Sequence, residues 1–224
     1  MSNNIIVEKL IHKGAEASLY YGSWFGKEAI FKKRIPKGYR IEQIDKLLRY
    51  NRTLNEAKAL IRVKNYGVLV PPVYEIDVEN ATIVMKYIKG EKLKEILDSL
   101  TTSKKVQFLR EIGKSIAYLH KNGHIHGDIT TSNMILTPTQ DLFIVDFGLH
   151  DYSDSIEDKS TDLHLFKRVL LSSHGSDFTI CFDAFLEGYS EGYGIEKNSE
   201  CRDILKNILV IETRGRYVKK EDRL

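Results

Sequence analysis

The chain has 224 residues, 42% of them apolar and 29% charged, with a net charge of +3. That is enough apolar material for a real core in one large domain or two small lobes. No run of roughly 18 apolar residues occurs, and Met1-Ser2-Asn3-Asn4 lacks a basic then hydrophobic signal, so neither membrane insertion nor secretion is indicated and the cytoplasm is expected. Cys181 and Cys201 lie far apart with no CxxC and no neighbouring His pair, the pattern of buried thiols in a reducing compartment rather than of a zinc site. The mild net charge is unevenly distributed. Lys32, Lys33, Arg34, Lys37 and Arg40 form one basic cluster, and Arg214, Arg216, Lys219, Lys220 and Arg223 form another.

Along the chain, β-branched and aromatic runs predict strands over Ile5 to His12, Ala17 to Trp24 and Lys27 to Ile35, separated by turns at Lys13-Gly14 and Phe25-Gly26. Helix is predicted over Ile41 to Leu48 and again over Thr53 to Val63, where Leu54, Ala57, Leu60 and Ile61 are spaced to bury one stripe. A second hairpin follows, Val73 to Val78 and Ala81 to Ile88, turning at Glu79-Asn80. Beyond Gly90 the character becomes helical. Val106, Leu109, Ile112, Gly113, Ile116 and Leu119 make a stripe ended by Asn122-Gly123 as a left-handed cap. Short strands bracket Thr137 to Asp141, and helices are expected over Leu163 to Leu171, Phe178 to Tyr189 and Cys201 to Ile211. The fold class this predicts is α+β, an antiparallel sheet lobe with one or two helices (residues 1–88) followed by a reduced helical lobe (residues 89–224).

The most informative stretch is HIHGDITTSNMIL followed by IVDFGL, from His124 to Leu149. Asp128 can orient a nucleophile, while Asn133 and Asp146 are hard oxygen ligands suited to the Mg²⁺ that accompanies ATP phosphates. A lone Asp-Phe-Gly carries little weight, because short motifs recur by chance. Here Asp128 and Asn133 stand at the right spacing on a loop after a helix, and the apolar run Leu142 to Val145 leads into Asp146. Together they read as the catalytic centre of a two-lobed, protein-kinase-like fold.

Lys32, ending Ala29-Ile30-Phe31-Lys32, matches the strand lysine that holds the α and β phosphates, with Lys33 as its rival. Strand parity favours Lys32: the residue two before it, Ile30, shares its face and makes a good adenine wall, whereas Phe31 before Lys33 would crowd the base. Met85 on the second hairpin is a further expected contact of the nucleotide. Glu56, in the helix after the lysine, is the acid expected to pair with it, ahead of Glu42. Gly14-Ala15-Glu16-Ala17 occupies the turn where a kinase has G-x-G-x-x-G. Only one glycine is present and Glu16 adds negative charge, so a phosphate contact through the Gly14 amide and a plain hairpin turn both account for these residues. His126-Gly127-Asp128 replaces His-Arg-Asp, which removes the usual receptor for an activation-loop phosphate. His126 is expected to pack rather than act as a base. The segment after Gly148 is short, no Ala-Pro-Glu occurs, and Glu157-Asp158-Lys159 reads as a solvated charged turn. The basic end of the chain is open between a solvated tail and a phosphate-backbone contact through Arg214, Arg216, Lys219 and Lys220, with Tyr217 available to stack.

KKRIPKGYR (Lys32 to Arg40), NEAKAL, HGDITTSNMIL, VDFGL, EDKSTDL and RGR together resemble the small atypical kinase subunit of the KEOPS (EKC) complex, in its archaeal-type stand-alone form, over nearly the whole chain. That resemblance implies ATP and Mg²⁺ binding and Ser/Thr kinase or ATPase activity. It also implies association with the threonylcarbamoyl transferase and other KEOPS subunits in making threonylcarbamoyladenosine on tRNA, with the basic tail linked to tRNA and no membrane partner. Two other readings compete: a stand-alone kinase acting on a protein or small molecule, and a non-catalytic ATP-binding scaffold. The scaffold is disfavoured by intact Lys32, Asp128, Asn133 and Asp146.

Overall fold

The structure, a computed structural model, describes residues 4–195 and 198–217, with side chains to residue 214. Three strands, β1 (Ile5–Lys13), β2 (Ala17–Trp24) and β3 (Lys27–Arg34), open the chain. With β4 (Val73–Asp77) and β5 (Thr82–Lys86) they form an antiparallel sheet of order β1-β2-β3-β5-β4. β3 is central, so Ala29 to Lys32 are buried, whereas the edge strand β1 is exposed along its length.

One continuous helix, α1 (Glu42–Lys64), crosses between β3 and β4 where sequence periodicity suggested two segments. Residues 49–52 contain neither Gly nor Pro, and Arg49 pairs with Asp45 one turn back at 2.7 Å, so nothing interrupts the helix there. Its buried stripe runs through Thr53, Glu56, Ala57, Leu60 and Val63, while Ile61 faces solvent, contrary to the expected stripe. A glutamate has displaced an isoleucine from the interior. Hydrophobic spacing alone does not set the rotation of α1.

The helical region begins with β6 (Glu91–Lys92), α2 (Leu93–Ile96), a 3-10 turn over Leu97–Ser99, and α3 (Thr102–Lys121). Thr101 caps α3 by accepting the Lys104 N–H, and Phe108, Leu109, Ile112, Ile116 and Leu119 form its buried stripe. Next come β7 (His124–Ile125), β8 (Met134–Leu136), β9 (Leu142–Ile144) and β10 (Asp151–Tyr152), which make a β6-β8-β9 sheet and a β10-β7 pair. Strands of two residues carry no periodic signal, so β6, β7 and β10 had none to find.

Helix α4 (Ile156–Ser173) starts ahead of its expected place because Ser155 caps it, accepting the Asp158 N–H. This turns Lys159 inward. The residue read as part of a solvated turn is 1% exposed and pairs with Glu200 at 2.6 Å. Glu200 lies on α6 (Asn198–Tyr217), which follows α5 (Phe178–Tyr193) and runs further at both ends than the predicted Cys201 to Ile211. Cys181 and Cys201 are buried and free, and no described helix is long and apolar enough to cross a membrane.

Helices α3 and α5 cross at near-backbone contact: a Cβ at Gly188 would stand 1.9 Å from the Arg110 carbonyl oxygen. Gly188→Ala gains roughly 1 kcal/mol of helix propensity, but the overlap is with backbone, which cannot swing aside. Overpacking typically costs about 1–3 kcal/mol and a contact this short belongs at or above the top of that range. We expect the urea midpoint to fall with an unchanged m-value; a midpoint equal to or above wild type would refute the close crossing.

Candidate active site

Side chains alternate across β3, so Ile30, Lys32 and Arg34 share its inner face and Lys33 points the other way. Lys32 Nζ donates to Glu56 Oε1 at 2.5 Å and to Asp146 Oδ1 at 2.7 Å. Arg34 Nη2 donates to the other Glu56 oxygen, also at 2.5 Å. One buried carboxylate therefore serves two buried cations. Burial alone would favour loss of the Lys32 proton, but Glu56 and Asp146 outweigh it and raise its pKa above the ordinary lysine value. Burial likewise works against the Asp146 carboxylate, and Lys32 overcomes it and holds Asp146 low. Arg34 was missed in the sequence, although the parity that selects Lys32 places it on the same face.

Met85 lies opposite Ile30 in the β3–β5 register, and both are nearly buried on the sheet face that carries Lys32. Lys33 is exposed and lines a cavity of about 400 Å³ on the outer sheet face with Phe31, Glu75 and Asp77. A smaller cavity, about 240 Å³, gathers most of the expected site residues: Gly14, Glu16, Lys32, Arg34, Asp128, Asp146 and Gly148 line it. Size is a poor guide here, because the outer hollow contains none of the catalytic-loop residues.

Across the cleft, Asn133 Nδ2 donates to both the backbone oxygen of Asp128 (3.0 Å) and its Oδ2 (2.8 Å). That fixes the Asp128 carboxylate and leaves the Asn133 carbonyl oxygen outside those bonds. Asp146 adopts φ 63°, a left-handed conformation, with Oδ1 accepting the Gly148 N–H at 3.1 Å. The catalytic loop is itself held from beneath by Asp162, which accepts the N–H groups of His126 and Gly127, each at 2.9 Å, and contacts His120 Nε2 at 3.1 Å. His126 is buried against Phe147, ring centroids 4.6 Å apart, and its Nδ1 accepts the Asp128 N–H at 3.2 Å. Gly127 has φ 79°, and a Cβ there would lie 2.4 Å from the Leu149 carbonyl oxygen. No arginine fits at that position.

Of the two readings of Gly14, the hairpin turn matches its N–H, which is closed onto the Ala17 carbonyl at 2.9 Å, and Lys37 Nζ caps the Ala15 carbonyl. Glu16 is bound by Arg52 and faces Arg40 at 3.9 Å. At the other end of the chain, Arg214 lies within α6, largely exposed, and contacts Glu157 at 2.8 Å. The side chain of Arg216 and all of Lys219 and Lys220 lie outside the described residues.

A family model described as protein tyrosine and serine/threonine kinase matches residues 5–167. Similar proteins include the KEOPS complex subunit Bud32 of Pyrococcus abyssi, 44% identical over 93% of this chain and 96% of its own. The chain belongs to the Bud32 family of the protein-kinase fold. It is also 45% identical over 94% of its length to a probable bifunctional tRNA threonylcarbamoyladenosine biosynthesis protein of Methanobrevibacter smithii, and 39% identical over 96% to the same-named protein of Methanocaldococcus jannaschii. It spans only 37% and 38% of those two bifunctional proteins.

Beside this Bud32-family centre, His150 Nε2 and His124 Nδ1 stand 2.9 Å apart. Burial, with His124 and His126 adding to it, pushes His150 down to about 4. Burial lowers His124 and His126 as well. An unfolded imidazole titrates near ~6.5, so below that pH the unfolded chain takes up protons that the folded chain refuses. The stability contribution is complete above that pH and is lost as pH falls toward 4. We expect the urea midpoint to drop between pH 7 and pH 5, and His150→Asn to shrink the drop without removing it; identical wild-type midpoints at the two pH values would contradict the assignment.

Proposed function

We propose that this chain binds ATP with Mg²⁺ in the cleft between residues 1–88 and 89–224 and turns it over as a cytoplasmic KEOPS subunit. There it supports threonylcarbamoyladenosine formation on tRNA beside the threonylcarbamoyl transferase. The observation that carries the nucleotide reading is the Lys32 contact to both Glu56 and Asp146, directly across from an Asp128 fixed by Asn133. The assembly reading rests on the names of the relatives that match nearly all of this chain.

The donor set suits Mg²⁺. With its amide nitrogen bonded to Asp128, Asn133 has its carbonyl oxygen to offer, and Asp146 offers a half-exposed carboxylate. Two hard oxygens beside phosphates and water are what Mg²⁺ takes, rather than an all-protein cage, and among the described residues no group of three or more His, Cys, Asp or Glu is placed to hold a metal ion. Asn133 and Asp146 would hold the ion, whose chemistry is to neutralise phosphate charge. Lys32, kept cationic by Glu56, contacts the α and β phosphates in exchange for part of its hold on Asp146. Ile30 and Met85 pack on the base, and Asp128 orients the attacking hydroxyl or water. Only residues 149–155 separate Gly148 from α4, which leaves little room for a peptide platform and favours hydrolysis over transfer to a protein.

Asp146→Ala should abolish Mg²⁺-dependent ATP turnover, whereas Asp128→Asn should lose turnover and keep nucleotide binding, measured by calorimetry and by phosphate release with the transferase partner and tRNA present. Near-normal turnover in Asp146→Ala would end the enzymatic reading.

If Arg214, Arg216, Lys219 and Lys220 contact tRNA phosphates, replacing all four with Ala should flatten the salt dependence of tRNA affinity by up to about 3.6 in log–log slope, at about 0.9 per contact. The loss should be smaller to the extent that Glu157 already neutralises Arg214. An unchanged slope would exclude this surface.

A further inference from the structure

We propose that Arg52 is a further phosphate ligand of the nucleotide site, held by Glu16 until a terminal phosphate takes the place of that carboxylate. The inference rests on the ATP reading and names a residue which that reading does not use. Glu16 lines the same cavity as Lys32, Asp128 and Asp146, so a carboxylate already stands where polyphosphate would lie. It is charged there: burial works against the anion, but the Arg52 hydrogen bond and the nearby Arg40 and Arg34 guanidiniums hold its pKa below the usual carboxylate value. Its loop offers phosphate little else, since the Gly14 amide is closed on Ala17 and no second glycine is present. Side-chain donors therefore matter more here than in a glycine-rich loop.

Of the cations around Glu16, Arg52, which stands behind the cavity lining and meets it through that carboxylate, is the exchangeable one. Arg34 is buried on Glu56, and Arg40 has a second acid, Asp45, at 3.5 Å. Arg52 has Glu16 as its described acidic partner, its side chain is 37% exposed, and it stands one turn before Glu56 on α1, with its carbonyl accepting from Arg34 at 3.4 Å. Its backbone is therefore anchored, and exchange would need its partly exposed guanidinium to leave Glu16. A terminal phosphate carries more charge than a carboxylate and presents three acceptor oxygens to the planar guanidinium fork. The same phosphate repels Glu16. Both effects drive the exchange in one direction.

The alternative is that Arg52 only shields ATP from Glu16. A double-mutant cycle separates the two, using ATP and AMP affinities of the full chain in Mg²⁺ for wild type, Glu16→Gln, Arg52→Gln and the double variant. If Arg52 binds phosphate, Glu16→Gln tightens ATP severalfold, Arg52→Gln weakens ATP by about tenfold in the Glu16→Gln background as well, and AMP changes little in every variant. Should Arg52→Gln cost nothing once Glu16 is Gln, Arg52 is a shield and the proposal is wrong. A parallel loss of AMP would also overturn it, since that reports damage to the whole site. If wild type binds neither nucleotide the ATP reading itself falls; the outcomes above leave that reading intact.

Discussion

Glu56 is the constraint on which the rest of this structure hangs. Two cations two residues apart on a central strand must face the same side, and in β3 that side is the interior. An unpaired buried charge costs several kcal/mol, and breaking such a pair by removing one partner costs about 3–5 kcal/mol. A single carboxylate with two oxygens can satisfy both Lys32 and Arg34, and does so at 2.5 Å each. The helix carrying it must then present Glu56 inward, which fixes the rotation of α1 and sends Ile61 to solvent. Electrostatic matching decides a packing question that hydrophobic spacing answers differently.

A second buried carboxylate does the corresponding work below the cleft. Asp162 holds the backbone of His126 and Gly127 from a helix that begins soon after the Asp-Phe-Gly turn. The loop that carries Asp128 is thus positioned by main-chain hydrogen bonds rather than by a phosphorylated segment. The steric evidence agrees, since Leu149 backbone fills the space that a side chain at residue 127 would need. Ordering is built into the resting chain. The shortness of residues 149–155 and the absence of an arginine are two aspects of one arrangement.

The strands of the first sheet, the buried stripe of α3 and the pairing of Lys32 with a helical glutamate were readable because each depends on local order: turn glycines, parity and the sequence of strand, lysine, helix and acid. What was not readable depends on contacts between distant segments. Lys159 looks solvated in isolation and is buried only because α6 packs over it. The early start of α4 was available in Ser155 and Asp158, a serine cap that the charged run obscured. Arg34 could have been found by counting two residues on from Lys32. Asp162, by contrast, gains its role only when a loop some 35 residues earlier folds back onto it.

Charge neutrality connects the cleft to its chemistry. Each cation that would meet phosphate is engaged by a carboxylate in the free chain: Lys32 by Asp146 and Glu56, Arg52 by Glu16. These acids differ in what they lose when an anion arrives. Glu56 would stay paired because Arg34 is too deeply buried to leave it, whereas Asp146 is half-exposed and, on the proposed reading, would turn from lysine to a metal ion. Glu16 also lies 3.9 Å from Arg40, so in the proposed exchange it would give up Arg52 and keep a cation beside it. A cleft whose cations are matched in this way avoids the cost of unpaired charge while empty, and it confines exchange to the carboxylates nearest solvent. On the proposed nucleotide reading, selectivity for a polyphosphate would follow from the number of cations one ligand can satisfy at once, which a single phosphate would not reach.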